Sequence, residues 1–322
     1  MELYPLRFKP ILKERLWGGH KLRDVLEKNF EGTGIGESWE LSGVEGDVSL
    51  IDNGPYKGKS LTELIEAYPI ELLGKPVIEK FGREFPILIK FIDAQKDLSI
   101  QLHPGDELAR ARHNSFGKTE MWYVMDADPG AELIIGFKRD MSKEEYQQAM
   151  EEKSLPQYLH YEPVAAGDGF FINSGKIHAI GAGILLAEIQ QSSDVTYRVY
   201  DFDRRDARGN LRELHTELAL DAMDFKKRDD FKISYGKQKN QENQMVTSPY
   251  FNTSFLELDT QTRLSLSHDE SFTVLVCVDG SAEVVLNSRK SQIKKGETLL
   301  LPAAAAEVMV NTSESRFLKV SL

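Results

Sequence analysis

Gln101 and His103 stand two residues apart in "SIQLHPGDELARARHNSFGKTEMWYV" (residues 99–124), and Glu120 opens the aromatic run that closes the stretch. A β-strand alternates its side chains between two faces, so a strand through "SIQLH" aims Gln101 and His103 to the same side. A second histidine, His178, follows the small-residue turn of "NSGKIHAI". Two imidazoles, one carboxylate and an amide oxygen form a donor set for a borderline divalent cation such as zinc, with a coordination position left open. The amide is neutral, so the cation would keep most of its Lewis acidity for a bound water or sugar oxygen. Taken singly, each residue has an ordinary reading: His103 as a turn residue, Glu120 as a surface partner of Lys118, His178 as a cap.

A second stretch, "AEIQQSSDVTYRVYDFDRRD" (187–206), adds proton-transfer and cationic groups. One unbroken strand would put Glu188, Gln190, Ser192 and Asp194 on one parity, together with Thr196 and Arg198. Such a face is either solvated or lines a wet cavity. The other parity mixes Ile189, Val195, Tyr197 and Val199 with Gln191 and Ser193, so alternation leaves both readings open.

The elements that must carry these residues are mostly strands. Runs such as "FPILIKFI", "EMWYVM", "AELIIGF", "GILLAEIQ", "FTVLVCV" and "ETLLLPA" are rich in β-branched and aromatic residues and are punctuated by Gly, Asp, Asn or Pro. Helical patterns are fewer. "SLTELIEAYPIELLG" (60–74) begins with Ser60 and Glu63 in capping-box spacing, "MSKEEYQQAMEEKSL" (141–155) has Ser142 as its N-cap, and "LRELHTELALDAM" (211–223) is a third candidate. The charged segment 224–244 lacks apolar periodicity and reads as a connector.

The chain also repeats itself. "YVMDADPGAELIIGF" (123–137) is echoed by "LVCVDGSAEVVLNS" (275–288), and "AAGDGFFINSGKIHAI" (165–180) by "KKGETLLLPAAAAEVM" (294–309). In register, His178 falls opposite Glu307, Glu120 opposite Phe272, and Gln101 and His103 opposite Ser265 and Ser267. The expected fold is therefore all-β: two jelly-roll barrels with helical insertions in the N-terminal half. The domains would be 1–235, catalytic, and 236–322, metal-free. Because only the first copy carries the donors, the fold itself does not require them.

Whole-chain properties narrow the function. The 322 residues carry a formal net charge of −11, with 41% hydrophobic and 28% charged residues. That balance argues against a nucleic-acid or membrane-surface binder, though local Lys and Arg can still make a cationic pocket. The single cysteine, Cys277, cannot form an internal disulfide and suits a reducing compartment. The N-terminal stretch has no secretory h-region, and no apolar run approaches the ~18–20 residues of a membrane span. A cytoplasmic monomer is the expectation.

"ERLWGG", "FPILIKFIDAQKDLSIQLHPGD", "GKTEMWYV" and "INSGKIHAIGAGILLAEIQQSSDVTYRVYDF" together resemble the type I mannose-6-phosphate isomerases, zinc-dependent cupin enzymes, in their short bacterial branch. The resemblance runs from about residue 5 to the end and is densest over 85–125 and 165–202. It implies one Zn2+ per chain held by Gln101, His103, Glu120 and His178. It also implies Trp17 as a pocket wall, Lys90 and Lys118 as cations facing substrate, and Glu188, Asp194 and Arg198 as active-site groups. Longer members follow that arginine with Leu-Thr-Pro-Lys, whereas here Val199, Tyr200, Asp201 and Phe202 follow it. The lysine's role is then vacant or passes to Arg204 or Arg205.

The activity implied is interconversion of D-mannose 6-phosphate and D-fructose 6-phosphate through a cis-enediol or enediolate. Glu188 is the first candidate for the base and Lys118 the second, with Arg198 serving the enediolate or the phosphate. Two readings from other classes are an Fe(II) dioxygenase on the same cupin ligands and a non-catalytic sugar-phosphate-binding protein.

Overall fold

The computed structural model describes residues 1–205 and 209–322. It is mostly β, with the strands gathered into antiparallel sheets of seven, five and eight strands. At the centre of the seven-stranded sheet lie Ile35–Leu41, Ile87–Ala94, Ile184–Gln191 and Glu120–Ala127, hydrogen-bonded in that order. These strands are buried along most of their length, and all but Ile35–Leu41 read as largely apolar runs for that reason.

Alternate residues of one strand serve different cores. Leu185, Ala187 and Ile189 pack with Val274, Val276, Leu318 and Val320 of the eight-stranded sheet. Leu186, with Trp122 and Val124 from the neighbouring strand, faces Leu133, Ile135 and Ile180 of the five-stranded sheet. Glu188 belongs to the second parity and therefore points between the seven- and five-stranded sheets. The outer face of the five-stranded sheet is covered by the helices Lys143–Glu151 and Thr216–Ala222. A separate core fills the interior of the C-terminal unit.

Both predicted helix starts form complete capping boxes, Ser60 with Glu63 and Ser142 with Glu145. The first helical stretch is broken, however, into Leu61–Ala67 and Pro69–Leu73, and a third helix, Lys75–Phe81, follows. Pro69 causes the break, because it lacks an amide hydrogen and disfavours helical geometry at Tyr68. Of the third candidate only Thr216–Ala222 is helical. The supposed connector is partly built into the molecule. Lys232 and Ile233 pair with Phe170 and Gly169, and Tyr235 packs against the central core.

The repeat is a repeat of strand pairing. Gln101 sits opposite His178, and Ser265 sits opposite Glu307 in the same relation. Glu120 opens a strand opposite Ile172, while Thr273 opens its counterpart opposite Leu301. Glu120 therefore matches Thr273 and not Phe272, a one-residue correction to the register read by eye. Carried along the same ladders, Glu188 opposite Trp122 matches Lys319 opposite Leu275. Likewise Lys90 opposite Glu188 matches Ser254 opposite Lys319.

Candidate metal centre and active site

His103, Glu120 and His178 each offer one donor atom, and these atoms all lie within 4.8 Å of one another. The three residues come from three places in the fold. His103 follows the short strand Ile100–Leu102, Glu120 begins its strand in the seven-stranded sheet, and His178 begins the strand His178–Ile180. Each side chain is almost wholly buried. His103 Nδ1 lies 2.9 Å from the carbonyl of Val195, and His178 Nδ1 lies 2.8 Å from the carbonyl of Lys176. Donation to those carbonyls fixes the neutral tautomer and leaves both Nε2 atoms as electron-pair donors. His103 Nε2 is 3.5 Å and His178 Nε2 3.4 Å from the Glu120 carboxylate.

Burial is the first cause of every shift in this cluster. It pushes His178 down to about 4 and His103 well below its ordinary range. It raises Glu120 to about 7, with the negative charge of Glu188 adding to the effect. His178 Nε2 and Glu120 Oε1 are buried with no hydrogen-bond partner. Unpartnered buried polar atoms are costly, and two neutral imidazoles beside a carboxylate form a fitting nitrogen–oxygen set for a divalent cation. Gln101 lies beside the cluster, across the strands from His178, and its Oε1 accepts a hydrogen bond from Ser99 Oγ at 3.2 Å.

A cavity of about 370 Å³ opens beside the cluster, between the seven- and five-stranded sheets. Gln101, Lys118, Glu188, Asp194 and Arg198 line it, with Trp17 and Lys90. Glu188 is held at both oxygens. Lys90 Nζ is 3.0 Å from Oε1, and Trp122 Nε1 donates to Oε2 at 3.1 Å. Burial would raise the Glu188 carboxyl, but Lys90 and Lys118 outweigh it and keep it low, so it stands ionised. Lys118 Nζ bridges Glu120 at 2.9 Å and Glu188 at 3.6 Å. Burial disfavours its charge, yet the two carboxylates raise Lys118 above its ordinary value. An ammonium so held keeps its proton, whereas Glu188 is an ionised carboxylate in the cavity lining.

The comparisons with known proteins agree with this geometry. A family model for the catalytic domain of type I phosphomannose isomerase matches residues 6–148, and one for the mannose-6-phosphate isomerase cupin domain matches residues 241–320. The mannose-6-phosphate isomerase ManA of Bacillus subtilis is 36% identical over 310 residues, covering 95% of this chain and 96% of its own. The chain belongs to the mannose-6-phosphate isomerases. The Streptococcus mutans enzyme of that name is 35% identical over 299 residues, 92% of each chain. A crystal structure of the B. subtilis mannose 6-phosphate isomerase superposes with a TM-score of 0.87 at 32% identity, covering 99% of both chains.

Within this isomerase fold, all six predicted catalytic and substrate-binding residues line one cavity, but not by the route that parity suggested. The strand stops at Gln191 and resumes at Tyr197, so Asp194 and Thr196 reach the cavity from an irregular turn. Gln190 is buried, and its amide donates to the carbonyls of Gln191 and Ser193. It ties the turn and faces no solvent. Arg204, one proposed substitute for the family's lysine, is bound to Asp201 and to the Asp97 carbonyl. Arg205 donates to the Gly209 carbonyl. Neither lines the cavity; Arg212 does, with Arg15, Glu37, Trp39 and Trp122. Trp39 and Glu37 share a parity in "ESWEL", which could have flagged them. Arg212 carried no signal, since it lies in a charged stretch read as helix.

Proposed function

We propose that this chain interconverts mannose 6-phosphate and fructose 6-phosphate in the cavity beside His103, Glu120 and His178, with Glu188 as the base. The observation that carries the reading is Glu188: a buried, ionised carboxylate that lines the cavity and is bridged by Lys118 to Glu120 of the metal-ligand cluster. His103, Glu120 and His178, joined by Gln101, would hold one zinc ion. When bound, such an ion supplies Lewis acidity that stabilises negative charge developing on oxygen.

The chain's own groups account for the remaining steps. With the sugar in its open form, Glu188 takes the proton from C2, and the released electron pair forms the C1–C2 double bond of the enediolate. Glu188 returns that proton to C1 while the hydroxyl proton moves from O2 to O1, so the carbonyl ends at C2 and the balance closes. Lys90 holds Glu188 in place, Lys118 supplies positive charge beside the developing oxyanion, and Trp17 and Trp39 wall the cavity against water. Asp194 and Arg198 complete the polar lining. The strands from Asn243 onward are structural in this reading, and the boundary between the two units falls near residue 235. The working form is a cytoplasmic monomer whose partner is the sugar phosphate.

The test is conversion of mannose 6-phosphate to fructose 6-phosphate before chelation, after chelation, and after zinc is restored. The proposal expects activity that disappears and returns. A folded, zinc-loaded protein without conversion overturns it.

A further inference from the structure

The cavity is lined by five Lys or Arg side chains (Arg15, Lys90, Lys118, Arg198 and Arg212) and three acidic ones (Glu37, Glu188 and Asp194), an excess of two positive charges in a chain of net charge −11. The cations are not equivalent. Lys90 and Lys118 are committed to Glu188 and Glu120 beside the metal cluster. Arg15 is held by both oxygens of Glu37, at 3.0 and 3.1 Å. That leaves Arg198 and Arg212.

Arg198 lies opposite Gln101, and Gln101 lies opposite His178, so the three form a row across the five-stranded sheet. Neighbouring strands are about 4.8 Å apart, which puts Arg198 roughly 10 Å from His178. Among the described residues the Arg198 side chain makes one hydrogen bond, Nη1 donating to the Glu213 carbonyl, and its Nε is buried with no hydrogen-bond partner. Arg212, from the segment after that strand, meets Asp201 at 3.4 Å, but Asp201 is already paired more closely with Arg204. Two guanidiniums thus line the cavity together, and the carboxylate that meets Arg212, Asp201, is already engaged with Arg204. Burial, then the nearby charge of Arg212, push Arg198 below its usual range. Like charges brought together with too few counter-ions to balance them make a site for an anion.

We infer that Arg212 is a substrate-binding residue that closes with Arg198 on the dianionic phosphate of the sugar, opposite the metal end. The identity of the ligand rests on the isomerase reading; the anion site does not. The row from His178 to Arg198 then sets the substrate's direction, with C1 and C2 beside Glu188 and the phosphate two strands away. This also explains how the chain dispenses with a lysine soon after Arg198: a guanidinium further along the sequence returns to the same place and offers two parallel donors to phosphate.

Steady-state kinetics with mannose 6-phosphate and with unphosphorylated mannose, together with calorimetric titration of inorganic phosphate, test the inference. Arg212→Ala should raise KM for mannose 6-phosphate about tenfold or more, since losing one charge-assisted contact is worth a decade or so in affinity. It should leave kcat within about twofold, weaken phosphate binding in step, and reduce the preference for the phosphorylated sugar. Arg212→Lys should recover part of each loss. Arg205→Ala removes a nearby cation that neither lines the cavity nor pairs with Asp201, and should change none of them.

An unchanged KM in Arg212→Ala, or equal effects of Arg205→Ala and Arg212→Ala, overturns the inference. Should Arg212→Ala fail to fold, Arg212→Gln keeps a donor for Asp201 and carries the same comparison. A wild-type protein that binds phosphate through Arg212 yet converts no mannose 6-phosphate would sink the isomerase reading and leave the anion site standing. Conversion with phosphate binding indifferent to Arg212 would sink the anion site alone.

Discussion

Glu188 and Glu37 are both buried carboxylates against Lys90, yet they do different things. As the proposed base, Glu188 would face the reacting carbons, so Glu188→Gln should lower turnover by about 10²–10⁴-fold, the usual contribution of a positioned base. Metal content should be unchanged; elemental analysis beside the kinetics checks this. Glu37 accepts from Trp39 Nε1 at 2.7 Å and from Arg15 at both oxygens. Burial works to raise its carboxyl, but Lys90 and Arg15 overcome that and hold it at about 2.

A group depressed in this way contributes stability above its unfolded value near 4.5 and loses it as pH falls toward 2. For Glu37 the contribution is on the order of 3 kcal/mol. Thermal melts of wild type and Glu37→Gln should therefore differ most at pH 6.5, draw together below pH 4.5 and converge only near pH 2. A gap that stays constant across that range would show that the ion pairs of Glu37 are worth little. Such differences were invisible in the sequence, where both residues were acids in apolar strands.

Strands were the best-read elements, because two-face burial and period-two alternation leave a direct trace in composition. Helix starts were readable too, since a capping box is local chemistry. Interruptions were not. The turn from Ser192 to Thr196 follows a strand of the same polarity, and only pairing partners reveal where the ladder ends.

Close approach of backbones is equally hidden. A Cβ on Gly18 would lie 2.4 Å from the Gly34 carbonyl oxygen and 2.5 Å from the Gly36 nitrogen, both backbone atoms that cannot yield cheaply. The strand Ile11–Gly19 sets Arg15 and Trp17 in the cavity wall, and Gly36 leaves room for the Trp17 ring. Gly18→Ala should cost about 1–3 kcal/mol as overpacking. It should also raise KM by moving Trp17; a melting curve and steady-state kinetics together report both effects.

The two halves share one apolar core. Phe272 is fully buried with its ring 4.9 Å from that of Phe85, from the other half of the chain. Phe272→Ala should destabilise by about 3–5 kcal/mol. If the halves unfold together, calorimetry will show one shifted transition; two separate transitions would mean that the shared core does not couple them.

The donor set was readable in the first repeat because its counterparts lack it, and the pairing ladders then show what replaced it. Lys319 stands where Glu188 stands, and its ammonium donates to the carbonyl of Ser265, the residue matching Gln101, and pairs with Glu242. In the second unit a positive charge tethered to the chain thus reaches the strand mouths that a dissociable ion would occupy in the first. That half carries its own counter-ion. It should remain rigid when zinc is scarce, a permanent footing on which the emptied half can wait for its metal.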